Sequence, residues 1–154
     1  MTTQRQLTMH KFGLRDVAVD GLWRGALAGA AMAVYLVIAT TALGDAPFSV
    51  LARFTSQDVA ASPLGGALSH LAASAIYGAL FTILWHLLAR RSSQSGLALL
   101  GGVVYAGLLF VFSEYVLLPA VQSPLLGVPA LHWGVAHLIY GLVLGVLTAR
   151  GHRA

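Results

Sequence analysis

The chain has 154 residues, no cysteine and a formal net charge of +4; 58% of its residues are apolar and only 9% are charged. A soluble domain carries about a quarter of its residues as charges, so this composition specifies an integral membrane protein. The missing cysteines exclude disulfides, thiolate metal sites, iron–sulfur clusters and cysteine nucleophiles, and the scattered basic residues read as topology signals, with no nucleic-acid partner.

Residues 1–21 are polar and mixed in charge. The apolar run that follows is too long and starts too late for a signal-peptide core, so it reads as an anchor. Four stretches are long enough to cross a bilayer as helices: 22–43, 66–89, 96–120 and 130–149. The connection 44–65 holds Asp45 and Pro47, which resemble a helix start, and Phe48, Leu51 and Phe54 fall on one face; a short interfacial helix is expected there. Residues 90–95 form a short polar turn, 121–129 a second connection and 150–154 a polar tail.

Arg5, Lys11, Arg15, Arg24, Arg90, Arg91, Arg150 and Arg153 fall on one side of this topology and only Arg53 on the other. The positive-inside rule therefore puts both termini, and 90–95, in the cytoplasm. Trp23 and Trp85 are expected at the inner interface, with Tyr115 and Trp133 nearer the outer one.

The two halves resemble each other. "SPLGGALSHLAASAIYG" (62–78) matches "SPLLGVPALHWGVAHLIYG" (123–141) with a two-residue insertion. The reading is an all-α bundle of four transmembrane helices, built as two tandem hairpins related by a parallel internal repeat. The small-residue first span, "GALAGAAMAVYL", and the last span, "AHLIYGLVLG", also resemble a family of small, uncharacterised four-span bacterial membrane proteins. That resemblance implies the fold and a bacterial cytoplasmic (inner) membrane; it implies no activity.

Helix association in lipid rests on close approach, so small residues mark the packing faces: Gly25 and Gly29 in span one, Gly78 in span two, Gly107 in span three, and Gly134, Gly141 and Gly145 in span four. Ionisable residues at membrane depth are costly and face protein or a cavity. His70, Glu114 and His137 come from three spans, yet each lies about 7–11 Å into the outer half of the membrane. His132 is shallower. With Ser74, Tyr77 and Tyr140 they define a candidate polar layer.

Two histidines and a carboxylate suit a divalent metal, with His70, Glu114 and His137 as ligands. Two histidines on different helices also suit haem b. A proton relay or quinone site fits the same groups, and so does a plain helix-bridging hydrogen bond. Phosphate loops, nucleophile elbows and paired carboxylates within a span are missing, so no enzyme is expected. The expected role is a non-catalytic subunit of a larger membrane assembly, electron-transfer or bioenergetic in kind, contacting lipid and either other membrane proteins or a second copy. The alternative is a stand-alone dimeric transporter or proton conductor using Glu114 and the histidines.

Overall fold

A computed structural model of the chain describes residues 13–55, 61–88 and 95–151. Arg5, Lys11, Arg90, Arg91 and Arg153 of the orientation count, most of the polar turn 90–95, His10 and His152 lie outside them. Four helices are long and apolar enough to cross a membrane: Leu14–Ala42, Pro63–Leu88, Gly96–Ala120 and Ala130–Gly151. The protein is an all-α bundle and a multi-pass membrane protein.

We label the elements α1 (Leu14–Ala42), α2 (Ser49–Ala52), α3 (Pro63–Leu88), α4 (Ser95–Phe112), α5 (Leu118–Ala120) and α6 (Ala130–Gly151). A π-helical turn, Ser113–Leu117, joins α4 to α5, so the third span is one continuous helix. α1 starts eight residues before the expected span, with the Asp16 carboxylate accepting the Gly13 amide at 3.0 Å as an N-terminal cap. Arg24, ion-paired with Asp20, lies against Gly151 at the C-terminal end of α6, so the first turns of α1 run on past the bundle. A guanidinium there also complements the negative end of the α6 dipole.

The helices line up in the order α3, α1, α6, α4. α1 packs along α3 and α6 along α4, while α1 and α6 meet in the middle, where Ala28, Met32, Leu36, Ala136, Tyr140 and Leu144 are buried. Both hairpins close by backbone contact. A Cβ at Gly78 would stand 2.6 Å from the Gly21 carbonyl oxygen and nearer still to the Gly25 Cα. In the second hairpin, a Cβ at Gly141 would stand 2.5 Å from the Gly102 carbonyl oxygen and 2.6 Å from the Ala106 Cβ. Equivalent members of the two repeated segments thus make the same contact.

The remaining glycines sort differently. Gly29 packs on Ser74, and Gly145 on Ala98 and Leu99, as their small size requires. Gly134 meets only the Phe110 ring, at ordinary distance. Gly107 was expected on a packing face; it is exposed, and a Cβ there would meet nothing within 4 Å. The inward stripe of α4 instead runs through Ala98, Gly102 and Ala106, a turn apart on the face opposite.

α3 and α4 meet only near the end that carries the chain termini. There the Trp85 ring lies on Gly101, the Phe81 and Tyr105 rings stand 5.2 Å apart, and the Tyr105 hydroxyl donates to the Tyr77 carbonyl at 2.9 Å. Toward the opposite, loop-bearing end the two helices part. The short helix α2 seals that end: Val50 is fully buried, and Gly66 at the start of α3 admits the Leu51 carbonyl. Arg53 is ion-paired with Asp45 at 2.6 Å in the same connection.

Overpacking an interhelical backbone contact costs about 1–3 kcal/mol, whereas Ala for an unobstructed helical Gly gains about 0.5–1 kcal/mol. Gly78→Ala should therefore lower, and Gly107→Ala raise, the thermal unfolding midpoint measured in detergent micelles.

Candidate functional site

Where α3 and α4 part, a cavity of about 350 Å³ opens. α3 contributes Ser69, His70, Ala73, Ser74 and Tyr77, the third span Leu109, Phe112, Ser113 and Leu117, and α6 Trp133, His137 and Tyr140. Met32 of α1 forms part of the back wall, and Phe54, just after α2, roofs it with its ring 4.4 Å from that of His70. Ser69 and Ala73 on one side, and Phe112 and Leu117 on the other, are exposed. The mouth therefore lies between α3 and the third span, on the lateral surface that the helices present to lipid.

Four polar side chains in the cavity wall, His70, Ser113, His137 and Tyr140, are anchored to helix backbone. His70 Nε2 donates to the Gly29 carbonyl at 3.0 Å and His137 Nδ1 to the Trp133 carbonyl at 2.9 Å. A carbonyl can only accept, so these bonds fix the tautomers: in the neutral rings, His70 Nδ1 and His137 Nε2 carry the lone pairs. The Tyr140 hydroxyl donates to the Ser74 carbonyl at 2.8 Å, tying α6 to α3.

Ser113 is the inward residue of the third span. Its hydroxyl donates to the Phe110 carbonyl at 3.0 Å and accepts the Trp133 indole N–H at 3.0 Å. His137 Nε2 lies 3.5 Å from the same oxygen. A hydroxyl has one proton, and here two acceptors compete for it.

The structure brings together His70, Ser74, Tyr77, His137 and Tyr140 from the expected layer. It does not bring in Glu114 or His132. His132 lies outside the cavity, hydrogen-bonded through Nδ1 to the Tyr35 hydroxyl at 2.9 Å. Glu114 is half-buried between exposed Val111 and Tyr115, and makes no hydrogen bond or ion pair among the described residues.

Pro119 supplies the reason. It has no N–H for the Tyr115 carbonyl and its ring crowds that oxygen, so the helix widens and the Leu118 amide reaches back five residues to Ser113. Buried positions then step from Ser113 to Leu118, and Glu114 stays on the flank. The three-ligand set of His70, Glu114 and His137 is accordingly corrected: among the described residues no group of three His, Asp or Glu stands close enough to share a metal ion.

Paired axial ligation of haem also fits poorly, because His70 offers Nδ1, whose neighbouring Cβ would press on a flat macrocycle. Trp133, expected near the outer interface, is 4% exposed and belongs to the cavity wall. Ser113 went unnoticed in the sequence, although the small-residue stripe Ala98, Gly102, Ala106 extends to it at helical spacing. Comparison with protein-family models, curated proteins and solved structures finds no match.

Removing the Ser113 hydroxyl strands a buried indole N–H, which costs about 1–3 kcal/mol. Ser113→Ala should lower the unfolding free energy by that amount, and with it the thermal midpoint, and shift Trp133 emission to the blue; Glu114→Gln should leave the emission of Trp133 unchanged.

Proposed function

We propose that the protein is a non-catalytic binding component of the bacterial cytoplasmic membrane, with both termini in the cytoplasm, that holds a lipid-soluble molecule in the outer half of the bilayer. The cavity carries this reading. It is of ligand size, walled mostly by apolar and aromatic side chains with few polar groups, and open sideways to the acyl chains. A molecule dissolved in the membrane reaches it without crossing an aqueous face. The pairing of Arg53 with Asp45 supports the orientation, since the one basic residue assigned to the outer side is neutralised where it stands.

Glu114 supports a subunit role within a larger assembly. A carboxylate at membrane depth on an outer flank is costly to leave against lipid, and the open notch at Gly107 lies two turns away on the same flank. A partner membrane protein covering that flank relieves the cost.

The chain has three tryptophans, so Trp23→Phe with Trp85→Phe leaves Trp133 as the sole emitter. In bilayers of lipids brominated along the acyl chain, its emission should be strongly quenched despite its burial, and Ala73→Phe at the mouth should reduce that quenching. Emission indifferent to bromination would overturn the reading.

A further inference from the structure

We infer that the ligand is a lipid with an aromatic ring carrying hydroxyl donors, of the hydroquinone or phenol class. The inference rests on the lateral cavity being a binding site and adds the chemistry that the site selects.

Three of the protons around His137 are already engaged. The Trp133 N–H goes to Ser113, the Ser113 proton to the Phe110 carbonyl, and the Tyr140 proton to the Ser74 carbonyl. His137 Nε2 meets the Ser113 oxygen at 3.5 Å and shares its one proton with the nearer Phe110 carbonyl, so this acceptor is only weakly met. His70 lines the same cavity, and its Nδ1 has no donor among the described residues. Two lone pairs on two walls of one apolar cavity ask for donors, and a buried acceptor left unmet is costly.

The walls select for shape as well. Phe54, Phe112 and Trp133, with the two imidazoles, line the space, and rings packed among rings gain offset and edge-to-face contact. A plain acyl chain fills such a cavity and satisfies neither nitrogen. A ring bearing only ether or carbonyl oxygens can meet the hydroxyls of Ser69, Ser74 and Tyr77 but brings no proton to either imidazole nitrogen. A hydroxylated ring places an O–H on His137 Nε2, and with a second hydroxyl on His70 Nδ1, while its tail leaves between α3 and the third span.

The test uses the full chain with Trp133 as sole tryptophan, in bilayers of brominated lipid. Two competitors are compared, a decyl-tailed 1,4-hydroquinone and its dimethyl ether, which keeps ring and tail and lacks both donors. One good hydrogen bond at a buried acceptor corresponds to about tenfold in affinity. The hydroquinone should therefore relieve the quenching at about a tenth of the concentration the ether needs. His137→Phe should abolish that difference, and His137→Gln, which keeps an acceptor, should retain part of it.

Equal potency of the two competitors in the unmodified site would overturn the proposal without any variant having to fold. Failure of both to relieve quenching, with Trp133 still quenched by brominated chains, would overturn it while leaving the cavity reading intact. Absence of quenching by the lipid itself would remove both.

Discussion

Backbone-to-backbone contact at glycine is the constraint on which this molecule depends. Lipid offers helices no hydrophobic reason to associate, so they hold together where they can approach closely. Gly78 on Gly21 and Gly25 closes one hairpin and Gly141 on Gly102 and Ala106 closes the other. Large residues then fill the middle, where α1 meets α6. The tight contacts are spent within hairpins and between the central helices, so α3 and α4 have only the aromatic junction of Phe81, Trp85 and Tyr105 to join them. The cavity follows as the part of that seam which no small-residue contact closes.

The polar groups inside this cavity do not form an ordinary side-chain network. His70, His137, Tyr140 and Ser113 each donate to a backbone carbonyl of a helix, as Tyr105 does at the junction beside the cavity. Such bonds need no second ionisable partner and tolerate an apolar setting, because both members are neutral and satisfied. They also set each ring's angle, so the nitrogen that is not anchored is held in a defined direction. The wall is preorganised by the helices it lines.

Much of this architecture can be read from the sequence. Four apolar runs, the matching Ser-Pro-Leu to Ile-Tyr-Gly segments and the glycines of spans one, two and four specify the bundle and its hairpins. Helical rise is constant, so relative depth can be read from the sequence, and His70 and His137 do line one cavity. Rotation cannot be read in this way. Glu114 and Ser113 differ by one residue, and which of them faces inward is set by the phase of α4 and by the widened turn that Pro119 imposes. Gly107 makes no contact within the bundle for the same reason: it lies on the face opposite the Ala98, Gly102, Ala106 stripe. Trp133 illustrates the limit of composition, since a tryptophan near a helix end reads as an interfacial anchor until a buried hydroxyl is found for its N–H.

The near-repeat of the two hairpins has a consequence for whatever occupies the space between them. Aligned from the shared Ile-Tyr-Gly, His70 in the first half corresponds to Trp133 in the second, and His137 to Ser74. Gly78 and Gly141 make equivalent contacts in the two hairpins, and the side chains that face the cavity do not match. A pair of identical hairpins would offer an occupant two equivalent poses, related by half a turn about the membrane normal. Here the first half carries imidazole where the second carries indole, and a hydroxyl where the second carries imidazole, so the two poses differ in energy. Divergence of four side chains has given a symmetric vessel a front and a back.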